Sequence, residues 1–279
     1  MISISCHSKQ KDSFSIVEQN VLVLSNEWVN DEYKKMTVTA PAPTLAALPG
    51  QFFHLLCPPS GENLSFLRRP MSIHGVNQEA NQLEFLYKVQ GTGTRNLAAL
   101  TRGEQLNLLG PLGQGFSLSP SPKHALLLGR GVGLATLTPL AAPVIKAGGK
   151  VTAVLSVRRP DLIMAHDTLS EAGATVYCVN DTDQSSDVNA VRQLLEQLHA
   201  KEPFDFLTTC GSNRLTVMLQ QFGKNHQLDG QVALEQHMGC ALGMCFACVL
   251  PLKNTTSNAI SYQRVCLNGP VFDLQEVLA

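Results

Sequence analysis

Charge is scarce in this sequence. Only 15% of its 279 residues are Asp, Glu, Lys or Arg, and 21 basic against 22 acidic residues leave a formal net charge of −1. A chain that holds nucleic acid by its phosphates carries a basic excess, so no nucleic-acid partner is expected. The N-terminal MISISCHSKQKD is polar where a secretion signal needs an apolar stretch, so a cytoplasmic protein is expected. Long apolar runs are missing too, with one exception at residues 125–145, ALLLGRGVGLATLTPLAAPVI. Its length matches a bilayer span, but Gly129, Arg130, Gly131, Gly133, Pro139 and Pro143 interrupt it. A buried strand, a glycine turn and a helix start fit it better, and no membrane span is expected. Disorder is excluded from the other side: 44% of residues are hydrophobic and the mean hydropathy is +0.04, enough for a sizeable core.

Cysteine is plentiful. There are 8, of which Cys240, Cys245, Cys248 and Cys266 crowd together near the C-terminus. In a chain without a secretion signal such a group points to a metal rather than to disulfides. The spacing is C-x4-C-x2-C-x17-C. A zinc ribbon presents two C-x2-C knuckles and only one is here, which leaves zinc, or a purely structural thiol cluster, as lesser readings. The spacing is that of plant-type [2Fe–2S] sites, in which a loop wraps the cluster and a distant cysteine closes it. Gly239, Ala241, Gly243 and Ala247 keep that loop small, so backbone N–H groups can approach the sulfides. Of the other cysteines, Cys6 and Cys57 read as ordinary thiols. Cys178 reads as a small hydrophobe in a buried strand, and Cys210 ends a strand directly before Gly211.

The chain divides into three parts, at 1–119, 120–228 and 229–279. In the first, short apolar or alternating runs (FSIVEQNVLVLSN, YKKMTVTAP, GQFFHLLC, NQLEFLYKVQ, EQLNLLGPLG) separated by Pro, Gly and Asn predict a small antiparallel barrel. In the second, strands are expected at 125–129, 150–157, 174–180 and 204–210, with helical segments between them. Val188, Val191, Leu194, Leu195 and Leu198 share one helical face, and Asn213 is expected to cap the helix that follows it. Alternating strands and helices imply a parallel sheet covered on both faces. The third part holds the cysteines and little periodic structure, and a segment so small needs a staple.

Two further signals concern ligands. The strand–turn–helix pattern LLLGRGVGLATLTPL places Gly129, Gly131 and Gly133 where a backbone can approach a pyrophosphate, with plain packing as the competing reading. In the barrel part, Arg69-Pro70-Met71-Ser72 offers an arginine fork for phosphate and a hydroxyl for a flavin edge. Leu86-Tyr87-Lys88 and then Gly93-Thr94 follow, the last admitting a second phosphate contact. A surface arginine before a turn proline is the bland alternative.

Together these pieces resemble the ferredoxin–NADP⁺ reductase superfamily, and within it the electron-transfer subunits of class 1B dihydroorotate dehydrogenase. The resemblance rests on PGQF at 49–52, RRPMSI at 68–73, YKVQGTGT at 87–94, GPLGQGF at 110–116, GRGVG at 129–133, TCG at 209–211 and LEQHMGCALGMCFAC at 234–248. It implies a flavin-binding antiparallel barrel, a parallel-sheet nicotinamide-binding domain and a small C-terminal [2Fe–2S] domain. By motif, Arg69, Pro70, Met71, Ser72, Leu86, Tyr87, Lys88, Gly93 and Thr94 would line FAD, and Cys240, Cys245, Cys248 and Cys266 would ligate the cluster. Gly129, Gly131 and Gly133 would face NAD(H) or NADP(H), with Cys210 and Gly211 near its nicotinamide end. The resemblance also implies a hetero-oligomer, in which a partner flavoprotein oxidises its substrate and passes electrons through the cluster and FAD to the nicotinamide. No catalytic acid or base is assigned, and His54, His74 and His237 read as structural histidines.

The chain departs from the family pattern in its nicotinamide part. Arg130 stands where a glycine is usual, Leu134-Ala135-Thr136 replaces a Val-Pro-Pro type string, and Ser212-Asn213-Arg214 replaces a proline-containing run. Ser156, Arg158 and Arg159 follow the second strand of that part, where a 2′-phosphate would be read if the cofactor were NADP; a solvated turn is the other reading. Other reductase subunits, of sulfhydrogenase, sulfite reductase or NADH-dependent ferredoxin–NADP⁺ oxidoreductase type, share the arrangement. A non-catalytic assembly protein with a zinc-stapled tail is the rival from outside the oxidoreductases.

Overall fold

A computed structural model of the chain describes residues 16–59 and 65–278; Cys6 and its expected ordinary thiol lie outside them. The first half is a curled antiparallel sheet of seven strands: β1 (Val17–Trp28), β2 (Tyr33–Thr39), β3 (Phe52–Leu55), β4 (Arg69–Ser72), β5 (Gly75–Asn77), β6 (Gln82–Lys88) and β7 (Gln105–Leu112). They lie in the order β4-β3-β7-β1-β2-β6-β5, so β4 and β5, consecutive in the chain, stand at opposite ends of the sheet. The two residues joining β4 to β5 hold those ends together. Ile73 N–H donates to Gln51 O at 3.1 Å and His74 N–H to Glu84 O at 2.9 Å. Alternation puts Val21, Val23, Met36, Val38, Phe53 and Phe85 inside. Helix α1 (Thr92–Ala98) plugs this core with Leu97.

The second sheet has the order β10-β9-β8-β11-β12-β15. Its parallel strands are β8 (His124–Arg130), β9 (Lys150–Val157), β10 (Thr175–Asn180), β11 (Phe206–Cys210) and β12 (Asp229–Ala233); β15 (Val271–Asp273) is antiparallel to β12. Period-2 alternation sends Ala125 and Leu127 to one face and Leu126 and Leu128 to the other. The first face packs α2 (Gly133–Leu137), α3 (Ala141–Lys146) and α4 (His166–Glu171) through Leu134, Leu137, Val144 and Leu169. The second packs α5 (Val188–Lys201) and α6 (Asn213–His226) through Val191, Leu195, Leu215 and Phe222. Helices on both faces explain why the central strands β8, β9 and β11 are buried along almost their whole length.

Two local expectations are corrected. Asn213 is the first helical residue of α6, and Ser212 is its cap: its backbone is extended and its hydroxyl accepts from Leu215 N–H at 3.4 Å. Cys178 is exposed, because β10 is the sheet's edge strand and presents side chains to water that a central strand would bury.

The cysteine segment is an excursion from this sheet. After β12 the chain forms the cysteine loop, a hairpin of β13 (Val249–Lys253) and β14 (Ile260–Arg264), and the single turn α7 (Val265–Asn268), then returns to the sheet as β15. The parallel sheet thus continues past residue 228. Leu252, Val265, Phe272 and Leu274 join the same core as α5 and α6. Among the described residues no helix is long and apolar enough to cross a membrane.

Candidate functional site

A cleft of about 480 Å³ opens where the barrel, the parallel sheet and the cysteine segment meet. The barrel wall is Phe52, Arg69, Pro70, Met71, Ser72, Leu86, Tyr87, Lys88, Gln90 and Thr94. The opposite walls are Val132 and Ala135 from the β8–α2 turn, and residues 234–238 with Pro270 from the cysteine segment. Of the barrel residues expected to line a flavin, the structure gathers all but Gly93 on this surface. Gly93 acts from behind: a Cβ there would lie 2.8–2.9 Å from the Arg69 guanidinium, so only glycine lets that side chain lie against α1.

The roles within this wall differ. Arg69 is braced by its own loop, donating to Leu67 O at 2.5 Å, which aims the guanidinium beside Gly93. Lys88 is paired with Glu32 at 3.0 Å. Tyr87 turns its ring into the barrel core, where its hydroxyl donates to Asn26 at 2.8 Å and burial raises its pKa. The Thr94 hydroxyl accepts from Gln90 and Gly91 N–H, each at 3.0 Å, and so builds the turn at the start of α1.

A smaller chamber of about 220 Å³ adjoins this cleft and shares Val132 and Glu235 with it. It lies at the carboxyl ends of β8, β9 and β11, where parallel sheets bind ligands. Gly131 and Gly211 line it; Gly129, Gly133 and Cys210 do not. Those three hold its floor together. A Cβ on Gly133 would overlap the Cys210 carbonyl, and one on Gly211 would overlap the Arg130 carbonyl, so the β8–α2 and β11–α6 turns meet backbone to backbone. The Cys210 thiol is buried, which pushes its pKa up. Arg130, the residue in place of a glycine, folds across the strand ends, giving a hydrogen bond to Ser156 Oγ at 2.8 Å and two to Asp181 at 2.8 and 3.1 Å. Ser156 therefore lies within β9, fully buried, rather than after the strand.

Glu235 was not singled out in the sequence, although it stands in the string that carries the cysteines. It is open to solvent by surface area yet walled by both chambers, and that desolvation raises its carboxyl pKa. His54 is buried with neither ring nitrogen hydrogen-bonded, and desolvation lowers its pKa to about 4. His74 is also buried, its Nδ1 3.4 Å from Ala135 O, whereas His237 lines the larger cleft.

The cysteines form two pairs. Cys245 N–H donates to Cys240 Sγ at 3.4 Å and Cys266 N–H to Cys248 Sγ at 3.5 Å. Among the described residues no three metal-ligating side chains are arranged about one ion. Two thiol pairs are what a two-iron cluster needs, two ligands to each iron. The loop is shaped for anionic sulfur. Ala241 and Gly243 take φ of +57° and +79°, which turns the N–H groups of Leu242, Met244 and Cys245 toward Cys240 Sγ at 3.3–3.4 Å. Desolvation opposes ionisation of this thiol, but those donors outweigh it and pull the pKa down to about 6. Cys266, buried beside Cys248, is pushed up to about 12. Arg264 bridges the loop, donating to Gly243 O at 2.8 Å and stacking on Phe246 at 4.9 Å.

Comparison with known proteins agrees with this layout. Residues 235–278 match the family model of the iron–sulfur cluster binding domain of dihydroorotate dehydrogenase B. The dihydroorotate dehydrogenase B (NAD(+)) electron transfer subunits of Bacillus cereus and Bacillus anthracis are each 32% identical over 264 residues, 94% of this chain and 98% of theirs. The structure of NADH-dependent reduced ferredoxin-NADP oxidoreductase superposes with a TM-score of 0.73 at 25% identity, covering 92% of this chain and 89% of that one. Ferredoxin-NADP⁺ reductase from Plasmodium falciparum, 13% identical, shares the fold with a TM-score of 0.60 over 77% of this chain and 96% of its own. By descent as well as by architecture, the chain belongs to the family of dihydroorotate dehydrogenase B electron transfer subunits.

Proposed function

We propose that the chain is the electron-transfer subunit of a dihydroorotate dehydrogenase. It relays electrons between a catalytic flavoprotein subunit and NAD(H), with FAD in the larger cleft and a [2Fe–2S] cluster on Cys240, Cys245, Cys248 and Cys266. The observation that carries this reading is the shared cleft, whose walls come from the barrel, the sheet and the cysteine segment together. Bound there, FAD would exchange two single electrons for the electron pair of one hydride, and the cluster would supply the one-electron path to the partner.

The chain's own residues bind and orient. Arg69, beside Gly93, pairs with the flavin's phosphates, Ser72 and the backbone of β4 and β6 face the ring, and Lys88 closes the barrel side. Gly131 and Gly211 leave room for the dinucleotide in the smaller chamber. Gly129, Gly133 and Cys210 hold the turns beneath it. The pairs Cys240–Cys245 and Cys248–Cys266 would hold the cluster. NAD is favoured as the nicotinamide partner because the curated relatives carry it in their names. The units 1–119, 120–228 and 229–279 serve flavin, nicotinamide and cluster respectively. A cytoplasmic setting suits the seven described cysteines, all of them free thiols.

The partner docks, in this reading, on the cluster face. Met244 and Phe246 are exposed on the cysteine loop and Ile260 and Tyr262 on the β13–β14 hairpin that follows it, and exposed apolar side chains of that kind mark an interaction site.

The test is an anaerobic absorbance spectrum of the purified chain before and after NADH. Flavin and iron–sulfur bands that bleach with NADH are the expected result. A protein that takes up zinc but neither FAD nor iron would overturn the reading.

A further inference from the structure

We propose that the Asp31–Glu32 turn of the flavin barrel selects NADH over NADPH, by occupying the arginines that would otherwise read a 2′-phosphate. The proposal rests on the reading above, in which the smaller chamber takes the dinucleotide.

In a parallel sheet whose first strand–helix turn faces the pyrophosphate, the adenosine ribose falls beyond the end of the neighbouring strand. There an acidic residue accepts the 2′-hydroxyl of NAD, or an arginine takes the 2′-phosphate of NADP. The neighbouring strand here is β9, which ends at Val157 and is followed by Arg158 and Arg159. By position and chemistry alone, two adjacent guanidinium groups at that point favour a phosphate.

The structure shows both already engaged. Arg158 Nη2 donates to the Glu32 carboxylate at 2.5 and 2.6 Å. Arg159 donates to Asp31 at 3.0 Å and to Asp161 at 2.8 and 3.1 Å. The acidic residues are fixed in place: Asn30 Oδ1 accepts from the N–H groups of Glu32 and Tyr33 at 3.1 and 3.0 Å, and Glu32 is further held by Lys88 at 3.0 Å. Glu32 is also the better shielded member of its pair, its side chain 20% exposed against 55% for Arg158. Arg158 lines the smaller chamber. Arg130, the other arginine among the described residues that line the chamber, is paired with Asp181. A 2′-phosphate, carrying close to two negative charges, would have to displace a carboxylate to reach any of these guanidinium groups. A ribose hydroxyl is neutral and leaves these carboxylate–guanidinium pairs in place.

The test uses the holo chain, with FAD and cluster loaded. Binding of adenosine 2′,5′-bisphosphate and of AMP is measured by calorimetry, and the NADPH to NADH ratio of kcat/KM by flavin bleaching. In Glu32→Gln, affinity for the bisphosphate is expected to rise roughly tenfold, the size of one charge-assisted hydrogen bond, with AMP affinity unchanged and the NADPH to NADH ratio raised in step. Adding Arg158→Ala to that variant should erase the gain. Asp31→Asn, at an exposed carboxylate, provides a second variant with the same expected direction and little consequence for folding. Bisphosphate affinity unchanged in both single variants would overturn the proposal and leave the turn as a latch between barrel and sheet. A wild-type chain that binds AMP and accepts electrons from NADH, beside unaltered variants, would sink this inference alone. A wild-type chain reduced by neither nucleotide would sink the underlying reading instead.

Discussion

At the scale of single residues, Arg69 and Gly93 depend on each other. The guanidinium occupies the volume a Cβ at 93 would need, so the arginine is positioned by an absence on α1 and by the carbonyls of its own loop. Replacing Arg69 by alanine should cost about 1.5–3 kcal/mol of FAD binding, the usual worth of a hydrogen bond to a charged group. The check is the flavin-to-protein ratio after gel filtration, and unchanged flavin content would contradict the phosphate role. Much of this wall was legible in the sequence because RPMS and YKVQGTGT are contiguous strings. What was not legible is which way each side chain faces: Tyr87 looks like a flavin contact in the string, but strand alternation sends its ring into the barrel core. Nor could Arg158 be read as occupied, since its partner Glu32 lies 126 residues away in the chain.

At the scale of elements, the cysteine loop is the clearest case of local sequence dictating local structure. Positive φ, free of a Cβ penalty at Gly243 and held against one at Ala241, turns the N–H groups inward, and those groups stabilise sulfur as an anion. Because none of the four cysteines lines the cleft that Arg69 and β4 wall, Cys245→Ser is expected to abolish the iron–sulfur absorbance while FAD stays bound. Iron and flavin assays on the same sample check this, and joint loss of both would show the two sites are not modular. The strands of the second sheet were readable from their apolar runs. Their order was less so, which is why Cys178 was expected inside: an apolar run does not say whether a strand is central or at the edge. The start of α6 shows a similar limit, for Ser212 and Asn213 are both good caps and only the extended backbone at Ser212 decides between them.

At the scale of the whole molecule, the barrel has a core of its own while that of the parallel sheet also takes in Phe52 and Leu112 from the barrel, and the proposed flavin site likewise belongs to neither part alone. The exposed apolar residues Met244, Phe246, Ile260 and Tyr262 come from the same cysteine segment. Changing Ile260 and Tyr262 together to aspartate is expected to weaken association with the catalytic subunit at least about tenfold, with both chromophores retained, since these side chains lie on the hairpin and not on the cysteine loop. Copurification and sedimentation of the two subunits measure it, and full association in the double variant would place the partner elsewhere. The cleft's third wall, residues 234–238 and Pro270, carries a different consequence. Domains form in order as a chain leaves the ribosome. The barrel can therefore be complete, with Arg69 and Ser72 in place, while its flavin surface still faces open water. That wall is set only once β15 has been made and has paired with β12. At the proposed site, acquisition of the flavin would thus be timed by the cysteine segment, and a nascent chain arrested before β15 is expected to hold FAD only loosely.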